Sequence, residues 1–254
     1  MNQREDFEVK AFTRSGVVIT AAALSLSLAA CTASNEAPAG DESSAESTSD
    51  AMTSLSGNLQ GAGASSQESG MDAWRAGFQA LHADVTVGYD PVGSGGGIEQ
   101  FLSGAVPFAG SDGLLDESEY AAAVERCDGD GGAYHLPMYI SPVAVIFNIE
   151  GVDSLNLDPA TIAAIFDGDI TTWDDEAIAS QNEGVELPSG NITVVYRSDS
   201  SGTSENFTDY LEQTSDGAWP YEATKEFATA ASQSVGADGT SAVVDTVTST
   251  SGAI

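Results

Sequence analysis

Apolar positions along this chain follow two rhythms that take turns. Val85 to Tyr89 and Ile192-Thr193-Val194-Val195-Tyr196 read as strands, and Leu59-Gln60 reads as a shorter one. Val143 to Ile149 is almost continuously apolar, the pattern of a strand buried on both faces. Between these runs, Met71, Trp74, Phe78 and Leu81 recur at helical spacing, and Phe207, Tyr210 and Leu211 share one helical face. Ile98, Phe101 and Leu102 predict a further helix start. Asp158-Pro159 predicts an N-cap with proline at the first helical position, followed by an apolar face of Ile162, Ile165 and Phe166. Trp173-Asp174-Asp175-Glu176 opens another helix, with acid where the helix dipole favours it. Strand and helix in alternation, without an internal repeat, predict an α/β fold with a largely parallel sheet.

The first 30 residues break this rhythm. Arg4, Lys10 and Arg14 precede an uncharged apolar run from Gly16 to Ala30, too short for a comfortable membrane span and suited to a signal peptide core. The run ends Leu28-Ala29-Ala30-Cys31, which resembles a bacterial lipobox, so Cys31 is the expected lipidation site. An ordinary secretory signal with an incidental cysteine is the alternative. Residues 31–54 are rich in Ser, Thr, Ala, Asp and Glu and predict a disordered acidic tether. Cys127 is the only other cysteine. With Cys31 lipidated, it is expected either to be buried or to pair outside this sequence.

Charge narrows the function classes. The chain of 254 residues carries 39 acidic and 7 basic side chains, a net charge of −32, and three of the bases lie in the leader. So few cations cannot form the basic patch that nucleic acid requires. Strong acidity of this kind speaks to solubility and self-repulsion.

The candidate chemistry lies in three turns of glycine and hydroxyl residues, each between a strand and a helix: Gly61-Ala62-Gly63-Ala64-Ser65-Ser66, Gly93-Ser94-Gly95-Gly96-Gly97 and Ser201-Gly202-Thr203. In open α/β sheets ligands lie at the carboxyl ends of strands, where such turns gather. Free N–H groups and the positive end of the dipole make a helix start an anion site. Arg197 adds a planar fork of donors suited to phosphate or carboxylate. Other readings of the glycines fail on spacing. No Gly-x-x-x-x-Gly-Lys-Ser/Thr loop exists, and Gly93-Ser94-Gly95 meets Ile98 where a dinucleotide fingerprint wants glycine or alanine. Asp128-Gly129-Asp130 begins like a calcium loop, but position twelve is Tyr139 instead of Glu, so it reads as a surface turn. For an enzyme the only histidines are His82, which reads as a surface residue, and His135, which reads as structural. No metal-ligand cluster and no Gly-x-Ser-x-Gly elbow occurs.

Five segments in order resemble the periplasmic phosphate-binding proteins of high-affinity phosphate ABC importers: Gly61-Ala62-Gly63-Ala64-Ser65, Val92 to Gly97, Phe108-Ala109-Gly110-Ser111-Asp112, Trp173 to Ile178 and Arg197 to Thr203. The resemblance implies a two-lobed periplasmic-binding-protein fold, type II-like, with lobe 1 beginning in residues 55–139 and lobe 2 in 140–254. Family chains continue past Ile254, so the resemblance also implies truncation. It implies phosphate ligands at Ser65, Ser66, Ser94, Asp112, Arg197, Ser201, Gly202 and Thr203, with Asp199 holding the arginine from behind. Ser65 stands where the family has a threonine. Ser66 stands where it has a phenylalanine whose backbone N–H binds phosphate. The implied protein has no catalytic residue, cofactor or metal. It is a monomer, lipid-anchored on the extracytoplasmic face of the cell membrane, that delivers inorganic phosphate to the permease subunits of an ABC transporter. A binder of sulfate or molybdate is the alternative within the class, and a secreted phosphatase the alternative outside it.

Overall fold

A computed structural model describes residues 55–127 and 132–254. The leader, Cys31, the tether and the Asp128-Gly129-Asp130 turn lie outside the described residues.

The first sheet has three parallel strands in the order β2-β1-β3: β1 Ser56–Gly63, β2 Asp84–Asp90 and β3 Phe108–Gly110. β1 is central, pairing Ser56 with Asp84 on one side and Gly61 with Phe108 on the other. Helices α1 Glu68–Leu81, α2 Gly93–Leu102 and α3 Glu117–Cys127 connect and follow these strands. The second sheet pairs β4 Val194–Arg197 with β5 Ser234–Ala237, again in parallel. Around it lie α4 Pro159–Asp167, α5 Glu176–Ala179, α6 Gly202–Thr214 and α7 Gly239–Ser249. All the strand pairs in these two sheets are parallel, as the alternation predicts.

Local chemistry sets several of these elements. Asp158 caps α4 through its carboxylate, which accepts from Thr161 N–H at 2.7 Å. Pro159 fills the first helical position, and Gly168 ends the helix at φ 93°. The main core lies beside the second sheet, where Ile165, Trp173, Ile178 and Leu211 are fully buried. Trp173 is fixed in it by donating Nε1–H to Gly252 O at 3.1 Å.

Other elements depart from the sequence pattern. The Gly93–Gly97 stretch is the opening of α2 itself, five residues ahead of the expected start at Ile98. β1 extends well beyond Leu59-Gln60 in both directions. The Trp173 motif yields only the four-residue α5, because Trp173 turns into the core ahead of it. Val143 to Ile149 forms no strand. Asn148 bridges Ala253 alone, and Val143 and Val145 stay 48% and 37% exposed. An apolar run becomes a strand only where a neighbouring backbone offers a ladder, and here that ladder is one residue long. The apolar stripe of α1 is likewise not buried. Its Trp74 meets Tyr139 edge-on at 5.7 Å, and Leu81 is open to solvent. His135 is exposed instead of buried in a structural role, and Cys127 is exposed where burial was one of two expectations.

One glycine decides how closely the first layer packs. A Cβ at Gly97, in the middle of α2, would fall on Gly63 Cα and come within 2.8 Å of Ala62 O and 2.9 Å of Gly63 N. These are backbone atoms of β1, which cannot swing aside. A helix glycine normally gains about 0.5–1 kcal/mol on replacement by alanine. Gly97→Ala should do the opposite and lose roughly 1–3 kcal/mol through overpacking. Urea denaturation checks this, and a raised midpoint would contradict the close approach.

Candidate anion site

The two sheets present their strand ends to one another. β1 runs into a 3-10 turn at Ser65–Gln67, and α2 begins right after β2. β4 ends at Arg197, and Ser201 then caps α6 by accepting from Ser204 N–H at 3.3 Å. β5 leads into α7. All eight candidate residues lie on these strand ends and helix starts, apart from Asp112 in the turn after β3.

Gly202 explains how near the halves come. A Cβ there would stand 2.7 Å from Ser94 Oγ and 2.9 Å from Asp112 Cβ. Only glycine lets the start of α6 sit against α2 and the Asp112 turn. Gly95 N–H donates to Ser200 O at 3.1 Å across the same seam.

Arg197 is buried, 7% exposed. Its Nε donates to Asp199 Oδ1 at 2.6 Å and its NH2 to Asp199 Oδ2, a two-point pair. NH1 donates to Thr240 Oγ1 at 3.3 Å. Three of the guanidinium's five donors are thereby engaged, and the rest remain for a ligand. Burial pushes the Asp199 carboxyl upward, but hydrogen bonds from Arg197 and from Gly239 N–H, with the arginine charge, outweigh it and hold the carboxyl below its usual range.

The hydroxyls around the cleft are sorted by what lies behind them. Ser65 Oγ accepts from Thr240 N–H at 3.1 Å, Ser94 Oγ from Asp112 N–H at 3.2 Å, and Ser201 Oγ from Ser204 N–H. An oxygen that accepts from a backbone N–H keeps its own proton to donate. Ser94 and Ser201 are each 1% exposed. Ser66 and Thr203 instead donate to the Asp112 carboxylate, at 2.6 Å to Oδ1 and 3.0 Å to Oδ2. Asp112 is exposed and so joins the two halves at the lip of the cleft. Ser66 therefore contributes a side-chain contact, beyond the backbone role implied for it. Burial, followed by the charge of Asp112, raises the pKa values of Tyr89 and Tyr139, whose hydroxyls donate to Ala64 O and Ser66 O.

Three participants escaped sequence reasoning. Thr240 contacts both Ser65 and Arg197. Its signal was present: Asp238-Gly239-Thr240-Ser241 follows a short apolar run and is a fourth glycine and hydroxyl turn. Asn206 donates to Asp112 O at 3.1 Å and to Gly202 O at 2.7 Å, fixing the lip to α6. Lys225 donates to both carboxylate oxygens of Glu119 on α3, each at 3.1 Å, and ties the two halves outside the cleft. Nothing in the local sequence marks those two.

Hydroxyl and amide donors surround one buried arginine in a cleft assembled from helix starts at parallel strand ends, the place where open α/β sheets hold ligands, and the chain belongs to the PBP superfamily. A family model described as a PBP superfamily domain matches residues 39–254. Among relatives, the chain is 37% identical over 230 residues to phosphate-binding protein PstS 3 of Mycobacterium leprae, covering 90% of this chain and 62% of the relative. It is 42% identical over 171 residues to PstS2 of Mycobacterium bovis, covering 66% and 46%. The chain spans about half the length of the curated relatives it matches. Among solved structures it is similar to a high affinity periplasmic phosphate-binding protein (PfluDING) bound with phosphate, with a TM-score of 0.57 and 26% identity, covering 78% of this chain and 55% of that one. A putative phosphate ABC transporter substrate-binding protein from Clostridium perfringens, with bound phosphate, shares the fold at TM-score 0.56 and 19% identity, covering 78% and 68%.

The lowered Asp199 carboxyl carries a sign. A carboxyl depressed in the folded state stabilises fully above its unfolded pKa, near 4, and loses that contribution as pH falls through the lower folded value. Asp199→Asn should therefore melt below the unaltered protein at pH 7, and the gap should close on acidification below about pH 4. Thermal melts by circular dichroism from pH 7 to pH 2.5 check this. A gap that persists in acid would mean that the carboxylate charge is not what holds Arg197.

Proposed function

We propose that the chain binds inorganic phosphate in this cleft and belongs to the receptor component of a phosphate ABC importer. The observation that carries the reading is the pairing of a buried arginine and oriented hydroxyl donors with one carboxylate, Asp112, facing the same space. A donor-only cleft accepts any tetrahedral oxyanion. Phosphate near neutral pH retains a proton and can donate it to Asp112, whereas sulfate has none and meets the carboxylate with a bare oxygen. Asp112 is exposed at the lip of the cleft; a penalty applies once a bound anion covers it, when an acceptor left unpaired costs about 1–3 kcal/mol, and more for a charged group. Discrimination by a required hydrogen bond reaches several orders of magnitude. The names of the relatives and the phosphate bound in the similar solved structures support the same ligand.

In this reading the ligands are Ser65, Ser66, Ser94, Asp112, Arg197, Ser201, Gly202 and Thr203, with Asp199 orienting the arginine. The first sheet and its helices belong to one lobe, roughly residues 55–139, and the second sheet to the other, roughly 140–254. The acidic surface repels phosphate at long range, so affinity arises at short range from dipoles and Arg197. Bound phosphate is handed to a membrane permease without covalent change, so the protein is a receptor and no enzyme. The leader and Cys31 support a lipid anchor that holds the protein outside the cytoplasm, where it acts as a monomer in this reading.

Titration calorimetry with phosphate and sulfate tests this. The unaltered chain should bind phosphate and reject sulfate. Arg197→Ala should weaken phosphate binding at least about tenfold, the scale of one charge-assisted bond. Asp112→Asn should weaken phosphate and strengthen sulfate. Equal affinity of the unaltered chain for the two anions would remove Asp112 as the selector, and absence of phosphate binding would remove the function.

A further inference from the structure

We propose that Thr240 is a positioning residue of the phosphate site, passing the pull of Arg197 across the cleft to Ser65; this rests on the phosphate reading above. The two residues it joins lie on opposite sheets. Arg197 ends β4, and Ser65 begins the turn after β1. Thr240 sits in the first turn of α7, half-buried, with three contacts toward them. Its Oγ1 accepts from Arg197 NH1 at 3.3 Å. The same Oγ1 lies 3.1 Å from Ser65 Oγ. Its backbone N–H donates to Ser65 Oγ at 3.1 Å.

Two bonds of this chain have their direction fixed by atoms that can only donate. A guanidinium N–H and a backbone N–H have no acceptor capacity. Arg197 therefore fills one lone pair of Thr240 Oγ1; either hydroxyl of the Thr240–Ser65 pair can donate, and the proposed arrangement has the Thr240 proton pointing at Ser65 Oγ. Ser65 then receives two donors, one from the backbone and one from the hydroxyl of Thr240. Its own proton has nowhere useful to go except into the cleft. The order is Arg197 to Thr240 to Ser65 to anion, each bond polarising the next in a weakly solvated space. Without Thr240 Oγ1, Ser65 can rotate and present a lone pair, which repels an oxyanion instead of binding it. Gly239, which precedes Thr240, also donates its N–H to Asp199 Oδ1 at 3.1 Å. One turn thus fixes both the counter-ion of the arginine and the hydroxyl ahead of it.

The test is phosphate calorimetry on the 254-residue chain and on Thr240→Val, Thr240→Ser, Ser65→Ala and the double variant Ser65→Ala with Thr240→Val. Thr240→Val keeps the shape and the backbone N–H but removes Oγ1, and should raise the phosphate Kd about tenfold, the scale of one hydrogen bond to a charged network. Thr240→Ser should stay within about threefold of the unaltered chain, since it keeps the hydroxyl. In the Ser65→Ala background the valine change should cost less than about threefold, because the residue it acts through is gone. If the valine variant does not fold in a circular dichroism melt, Thr240→Ala carries the same expectations. Phosphate binding unchanged by loss of the hydroxyl, or losses that multiply in the double variant, would overturn this role while leaving the phosphate site intact. A chain that binds no phosphate at all overturns the functional reading, and this role with it.

Discussion

Among the described residues, a single buried cation organises the structure. Arg197 stands at the end of β4 and is held by both oxygens of Asp199. A guanidinium removed from water is costly unless its charge is answered and its N–H groups are used. Asp199 answers the charge, and its own oxygen is held by Gly239 N–H, which ties the pair to the start of α7. The remaining donors face the seam between the sheets, where Ser65, Ser94, Ser201 and Thr240 gather. In a chain with 39 acidic and 7 basic residues, one fixed cation in a cleft creates a local sign that the rest of the surface opposes. The field at this one place is therefore made by geometry at short range.

The second constraint is proximity. Donors on two sheets serve one ligand only if the helix starts come within hydrogen-bonding reach of each other. Two glycines set that distance. Gly97 lets α2 lie against the backbone of β1, which carries Ser94 to the seam. Gly202 lets α6 lie against Ser94 and Asp112. Asp112 then spans the lip, holding Ser66 from one side and Thr203 from the other. In the phosphate reading, an entering protonated anion would engage that same carboxylate. The residue that joins the halves is then also one the ligand would touch, so occupancy would be coupled to the arrangement of the two sheets.

Much of this was legible wherever the cause is local. Asp158, Pro159 and Gly168 bracket α4 because cap, first position and left-handed stop are each properties of a few consecutive residues. Arg197 to Thr203 read as a strand end followed by a capped helix for the same reason. Legibility failed where the partner is distant in sequence. Val143 to Ile149 has the composition of a buried strand but lacks a ladder beyond Asn148. The stripe of α1 has the spacing of a core face and stays uncovered. Thr240 was missed because its meaning lies in Ser65, 175 residues away, although its glycine and hydroxyl turn matches the other three. Asn206 and Lys225 act through contacts with Asp112 and Glu119 that no local pattern encodes.

The central claim is that Arg197 attracts the anion and Asp112 selects it by accepting a hydrogen bond from its O–H. The most direct measurement is a crystal structure of this chain grown with phosphate. The account predicts phosphate oxygens on Arg197, Ser65, Ser94 and Thr203, with one oxygen of Asp112 within hydrogen-bonding distance of a phosphate oxygen. Phosphate bound at Arg197 with neither oxygen of Asp112 within hydrogen-bonding distance of it would contradict the account.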